Sequence, residues 1–399
     1  MGKGVAITGM GIISAIGNNV QENYESLINS KTGVAKISKI DTIHKDGILV
    51  GEITTANSEF EKRLCLEENS WSRTSLLAVV AAKEAVSQAK ITDINDCRTG
   101  LISGTTVGGM DKSEQYFHNY FETDENWKFV NTLHAGDSTQ KIANQLGLEE
   151  SFVTTISTAC SSAANAIMLG ARMIKAGELD RVVVGGSDAL SKFTINGFKT
   201  LMILSDTYNT PFDDNRKGLN LGEAAAFLVL ESDDIVARDK KEVLGYVKGY
   251  ANANDAHHQT ASSDNGDGAI LAMEKALKIA DLEPNTVDYI NAHGTATPNN
   301  DLSEGRAMLC VFDGQVPEFS STKAFTGHTL AVAGVVEAVY SILALQNNIV
   351  FPNLNFKTPM QEFNLLPETE LKEKELNVIL SNSFGFGGNC TTLIFSKEA

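Results

Sequence analysis

Fifty acidic against 33 basic residues leave the 399-residue chain at a net charge of −17, and no segment concentrates enough Lys and Arg to neutralise a run of phosphates, which argues against a nucleic-acid or anionic-membrane binder. Five cysteines at 65, 97, 160, 310 and 390 are odd in number and lack CxxC spacing, so neither a disulfide framework nor a zinc site is indicated and a reducing cytoplasm fits best. The length buries an ample core, as two or three average domains or one large α/β unit.

In chain order, MGKGVAITGMGIIS is broken by glycines and ends in no cleavage-type site, so it reads as a strand over 5–8 leading into a turn at Gly9. Met1-Gly2 invites the myristoylation motif, but Ala6 stands where Ser or Thr is wanted. An amphipathic helix over 20–30 follows, then short strands and loop over 33–57. A strong helix over 72–89 carries Leu76, Leu77, Val80, Ala81, Ala85 and Val86 at helical spacing. The strand GLIS at 100–103 runs into GTTVGG, which matches neither GxGxxG nor the lysine-bearing P-loop, so a nucleotide is not indicated. The aromatic stretch 116–131 reads as a flap or interface segment, and 138–146 as a helix ending at Gly147.

The segment 154–176, TTISTACSSAANAIMLGARMIKA, is a β-branched run that breaks at Ser157-Thr158-Ala159, places Cys160 at the bend and continues as a helix. A thiol at a helix N-terminus meets unpaired N–H groups and the positive end of the macrodipole, which stabilise thiolate and later an oxyanion. Alone, the same residues fit a buried structural cysteine equally well. RVVVGG at 181–186 is a strand of the kind buried on both faces, 210–220 is loop, and 222–231 returns to strand. From about Val243 the strand and helix pattern starts over, with a helix over 268–280 and the strand VDYINAHGT. The chain therefore reads as a duplicated α/β unit, divided into 1–242 and 243–399. The apolar stretch 330–345 is too short for a membrane span and carries Glu337, and the charged run 368–375 reads as solvated loop or strand edge.

Three further stretches sit at strand ends before glycine turns. YINAHGTATPNND at 289–301 delivers His293; SSTKAFTGHTLAVAGVVE at 320–337 carries Lys323 and His328; LSNSFGFGGN at 380–389 alternates glycines with Phe384 and Phe386. Each alone fits scaffolding: a hydrogen-bonded histidine, a helix cap with a solvated lysine, a hairpin or tight core corner. All four at strand ends do not.

Cys, His, Lys and His in this order and with these flanks resemble the elongating β-ketoacyl-acyl carrier protein synthases, the KAS I/II branch of the thiolase-fold superfamily, from ITGMGIISAIG at 7–17 to NSFGFGG at 382–388. The resemblance implies a thiolase-like fold of duplicated βαβαβαββ halves in five layers, α-β-α-β-α. It implies that Cys160 takes an acyl group from a carrier thioester, and that His293 and His328 grip the malonyl thioester carbonyl through ring N–H groups. Lys323, paired with Glu337, would set the field around His328, and the backbone N–H groups of Cys160 and Phe386 would form the oxyanion hole. Thr295 and Thr297 would hydrogen-bond the phosphopantetheine arm, with Phe384, Gly385 and Gly387 lining the substrate path and Phe386 as gate. The chemistry agrees: a carbon-carbon bond between two thioesters needs a nucleophile that is also a leaving group, and donors where enolate charge develops. No metal or redox cofactor is required. The implied partners are acyl and malonyl forms of an acyl carrier protein and a second copy of the chain as a homodimer.

Departures from the family pattern fall around the site. The loop over 129–138 is shorter than usual, and Asn389-Cys390 replaces Thr-Asn after GFGG, leaving a second thiol near the site. The segment before the helix at 72–89 reads CLEENSW where the family is rich in Lys and Arg, and an arginine after Leu204-Ser205 is missing. Lys62, Arg63, Lys199, Arg216 and Lys217 remain as docking candidates, with Glu61 beside the first pair, which points to a dedicated carrier of a specialised pathway. A thiolase acting on CoA thioesters is disfavoured by His328 in place of a second catalytic cysteine, and a noncatalytic chain-length subunit by the presence of Cys160. A complete ketosynthase subunit that needs such a subunit as heterodimer partner stays open.

Overall fold

The computed structural model describes residues 4–67, 71–122, 124–149 and 151–399. Met1-Gly2, Glu68-Asn69-Ser70 of the CLEENSW segment and Thr123 of the aromatic stretch lie outside the described residues.

Among the described residues, the first part of the chain gives the large sheet five strands: β1 (Val5–Ser14), β2 (Thr99–Gly104), β3 (Phe152–Ile156), β4 (Arg181–Asp188) and β5 (Ala224–Ser232). Five come from the second: β6 (Gly245–Asn254), β7 (Tyr289–Asn291), β8 (Glu318–Ser320), β9 (Val378–Gly385) and β10 (Asn389–Ser396). They form one ten-stranded sheet in the order β8-β7-β9-β10-β6-β1-β5-β4-β2-β3. The two parts repeat one pattern: two successive antiparallel pairings, then two parallel ones. Only Ala6↔Tyr246 and Ile7↔Gly245 join β1 to β6, so the sheet is two halves meeting at a narrow seam.

Six helices complete the layers: α1 (Arg73–Gln88), α2 (Gly136–Leu146), α3 (Ser162–Lys175), α4 (Asp267–Ala280), α5 (Pro298–Val311) and α6 (Ala333–Asn347). Helices α1 and α2 cover the outer face of the first half-sheet, α4 and α5 that of the second, and α3 and α6 lie between them touching strands of both. The result is the α-β-α-β-α arrangement. A central helix must be apolar all round, and Ala333 through Leu345 of α6 are all buried. The run Leu330–Asn347 is in fact long and apolar enough to cross a membrane, contrary to the expectation from 330–345, but 89% of it is buried inside the molecule.

Gly9 does not end β1. The strand runs on to Ser14 through a bulge between Ile7 and Gly9. A Cβ on Gly9 would stand 2.2 Å from the Ala85 carbonyl oxygen, and one on Gly11 2.2 Å from that of Ala81. These glycines mark where α1 lies directly on the strand, a tertiary requirement that looks like turn chemistry in one dimension. The aromatic stretch is the end of a helix (Met110–Tyr116) and two 3-10 segments, Phe117–Phe121 and Asp124–Leu133, with Phe117, Trp127, Val130 and Leu133 exposed. In the charged run, Lys372–Glu373 pairs with Ile349–Val350 as an exposed edge. Helix α5 stands where the sequence suggested only a turn; Pro298 at its first position is the signal that was there to read.

Candidate active site

Between β3 and α3 the chain reverses sharply. Ala159 takes φ +51°, a left-handed conformation that costs a non-glycine residue energy. Ser162 closes the turn, accepting from the Thr158 N–H at 2.8 Å and donating to the Ala159 carbonyl at 2.6 Å. Cys160 sits at the apex, 6% exposed. Burial pushes its thiol up to about 12, against the opposing pull of the Lys323 charge and of the Phe386 and Cys160 N–H groups. The favourable N–H groups expected at the helix N-terminus do pull the thiol down, but desolvation outweighs them. The agreement of those two N–H groups on the sulfur fits the expected oxyanion hole.

His293 leaves the end of β7. Its backbone N–H and that of Gly294 each donate at 2.8 Å to Glu304 of α5, while the Ala296 N–H donates at 3.1 Å to Asp301. Two buried carboxylates of the unforeseen helix thus shape the histidine turn, and burial raises Glu304 to about 7. The Thr295 and Thr297 hydroxyls lie 2.9 Å apart on the same turn. His328 is fixed from the other side: its N–H donates to the Asn220 carbonyl at 2.7 Å, and its carbonyl accepts from the Gly222 N–H at 2.9 Å. Buried Asp188 accepts from the Ala331 N–H at 3.0 Å and from the Thr105 and Thr106 hydroxyls at 2.6 Å. The glycine-rich GTTVGG turn therefore wraps a carboxylate of the protein itself.

The β9–β10 corner completes the site. A Cβ on Gly385 would stand 3.0 Å from the Thr158 carbonyl oxygen and 3.1 Å from the Cys160 nitrogen, and Gly387 takes φ +81°. Hairpin and functional corner are the same structure: the close approach that brings Phe386 N–H to the sulfur is the tight turn.

Four side chains converge there. His328 Nε2 is 3.0 Å from Cys160 Sγ, and the two imidazoles stand edge to face, centroids 5.4 Å apart at 89°. Lys323 Nζ is 3.2 Å from His293 Nδ1 and ion-paired with Glu337, all buried. An ammonium only donates, so His293 Nδ1 accepts and Nε2 carries the proton, pointing a neutral N–H donor away from the lysine. Lys323, expected to set the field around His328, does act on that ring through its charge, and it also touches His293 directly. Burial first, then Lys323, and for His293 also His328, hold both well below the usual imidazole value.

A cavity of about 380 Å³ opens onto Cys160, His293, His328, Thr295, Thr297 and the 384–388 corner. Lys323 and Glu337 stand behind its wall. The Phe386 ring stacks on Phe198 at 5.9 Å, and Met202, 87% exposed, forms the lip. Cys390 also lines the cavity, its thiol raised to about 12 by burial and so neutral. Arg216 spends its guanidinium on the Asp213, Thr297 and Pro298 carbonyls, bracing the histidine turn rather than standing free for docking.

Fold and site together bring the buried Cys160 thiol and two buried imidazoles onto a single cavity between the two halves. The chain matches the beta-ketoacyl synthase N-terminal domain over residues 3–234 and the beta-ketoacyl synthase C-terminal domain over residues 244–357, and it belongs to that family. It is 34% identical over 412 residues to 3-oxoacyl-[acyl-carrier-protein] synthase 2 of Staphylococcus aureus strain N315, covering 99% of this chain and 98% of the relative. Among solved structures, the ishigamide ketosynthase/chain length factor superposes with a TM-score of 0.93 at 27% identity, covering 100% of both chains. The ketosynthase ApeO, in complex with its chain length factor ApeC from Xenorhabdus doucetiae, gives 0.85 at 30% identity, covering 99% of this chain and 98% of that one.

Proposed function

We propose that the protein is an elongating β-ketoacyl-carrier protein synthase, and that the division at 242/243 separates the half that supplies the nucleophile from the half that supplies the donors. The observation that carries this reading is the convergence of Cys160, His328 and His293 on one cavity, with Lys323 against His293 behind its wall. Cys160 sulfur attacks the acyl carbonyl of a carrier thioester. The oxyanion forms on the Cys160 and Phe386 N–H groups, and as it collapses the carrier sulfur departs and takes up the proton that Cys160 gave up, so that His328 keeps its Nε2–H. The acylated sulfur has no proton, so His328 Nε2 then faces only the incoming malonyl carbonyl and donates to it beside His293 Nε2–H. Loss of carbon dioxide leaves an enolate on those donors; its carbon attacks the acyl-Cys160 carbonyl and the sulfur leaves. Substrates ride on the phosphopantetheine of the carrier, with Thr295 and Thr297 along its path and Phe384, Gly385 and Gly387 forming the wall opposite.

The dimer contact belongs at β3, the half-exposed edge of the sheet, and the exposed Phe117, Trp127, Val130 and Leu133 add apolar surface to cover. An open apolar edge of this kind wants covering. The two ketosynthase/chain length factor neighbours favour, as a second reading, a chain-length subunit in the place of a second copy. Incubating the protein with acyl- and malonyl-carrier proteins tests the function: a β-ketoacyl carrier two carbons longer, with one carbon dioxide released per turn, is expected. Failure to form it with or without a co-expressed partner subunit contradicts the assignment.

A further inference from the structure

Behind the nucleophile the two halves meet through side-chain amides. Asn165 stands in the first turn of α3, Asn252 near the end of β6, and Asn389 opens β10. Asn389 Oδ1 accepts three hydrogen bonds, from Ser161 Oγ at 2.7 Å, Asn252 Nδ2 at 2.7 Å and Asn165 Nδ2 at 3.0 Å. Asn165 Nδ2 donates also to Thr158 Oγ1 at 2.8 Å, and Asn165 Oδ1 accepts from Thr391 Oγ1 at 2.8 Å. Asn252 Nδ2 closes the ring on Thr391 Oγ1 at 2.8 Å.

The placement of this ring gives it a consequence. Ser161 adjoins Cys160, and Asn389 lies three residues past Phe386, so one amide oxygen ties together the two loops whose N–H groups act on the sulfur. Between Phe386 and Asn389 stand only Gly387 and Gly388, at φ +81° and +77°. Two glycines do not hold a donor in place by themselves, whereas a closed, half-buried hydrogen-bond network does.

We propose that Asn389 is a positioning residue for the oxyanion hole: working through Ser161 and α3, it sets the spacing between the Cys160 and Phe386 N–H groups. The inference rests on the thioester-condensing reading above. The hole is used when a carbonyl becomes tetrahedral, so the effect falls mainly on acyl transfer; alkylation at a saturated carbon builds no oxyanion and feels a displaced Phe386 N–H only through its lesser share in lowering the thiol.

The test compares wild type, Asn389→Ala and Asn252→Ala as full chains, measuring acylation of Cys160 by an acyl-carrier thioester and its alkylation by iodoacetamide at the same pH. Asn389→Ala is expected to slow maximal acylation about tenfold or more, because donor displacements well under a bond length are costly. Its KM stays within about threefold and its alkylation rate within about twofold of wild type. Asn252→Ala removes one donor from outside both loops and shows the same selectivity to a smaller extent, and it decides the matter where Asn389→Ala does not fold. Acylation by the variants within about twofold of an active wild type overturns the inference, as does an equal fall in acylation and alkylation, which marks collapse of the nucleophile turn. A wild type that alkylates but never acylates overturns the condensing reading instead.

Discussion

Cys160 is a neutral thiol made useful by its neighbours. Burial raises it to about 12, well above the ordinary thiol range. The sign follows directly: a raised thiol pKa means that reactivity toward iodoacetamide climbs about tenfold per pH unit across pH 7 to 10. Lys323→Ala, which removes a charge that lowers the thiol pKa, moves the whole curve to higher pH. A plateau below pH 8 would instead reveal a thiolate already formed at rest. The histidines divide the work differently. His293→Ala removes a carbonyl donor that does not touch the sulfur, so malonyl decarboxylation and condensation should fall by about 10²–10³ while acylation of Cys160 survives, a split that single-turnover kinetics resolves. Which side chains meet at the cavity was legible in the sequence for Cys160 and His293, at strand ends before small-residue turns, whereas His328 stands past a short helix, Lys323–Thr326, where a strand end was expected. Which ring Lys323 touches was not, since that depends on two loops meeting across the molecule. Nor were Glu304 and Asp188, buried carboxylates whose partners are backbone N–H groups and hydroxyls far away in sequence.

Elements are placed here by glycines that look like turn formers and act as spacers. Gly11 admits α1 against β1, so Gly11→Ala drives a methyl against the Ala81 carbonyl oxygen and should lower stability by about 1–3 kcal/mol, read as a lower urea midpoint with an unchanged slope. Gly385→Ala presses instead on the Thr158 carbonyl and the Cys160 nitrogen. It should cost condensing activity at least about tenfold with a melting temperature close to wild type; full activity would show that the corner does not set the site. Periodicity found α4 because it buries one face, found α1 although Thr74 through Ala82 are buried all round, and found the strand–Cys160–α3 unit from its change of period. It lost α5 because a short loop and the helix that follows Pro298 share one polar, irregular composition, and it cut β1 at Gly9 because the bulge there is required by a helix some 70 residues later in the chain.

The whole molecule is one pattern used twice, and the repeat puts the chemistry at the seam. The first half brings Cys160 at the bend before α3; the second brings His293, His328 with Lys323, and the glycine corner, all at the ends of strands or beside the central layer where α3 and α6 pack. Duplication was visible as a restart of the strand and helix pattern near Val243, whereas the layering rests on α3 and α6 touching both half-sheets, which no local pattern reports. The measurement that bears most directly on the assembled site is intact-protein mass spectrometry with acyl-carrier proteins. Wild type should gain one acyl group and lose it when malonyl carrier is added, with a β-ketoacyl carrier appearing, and Cys160→Ala should gain none. An adduct that forms on Cys160→Ala, or one on Cys160 that malonyl carrier leaves in place, would contradict a condensing enzyme built on this thiol.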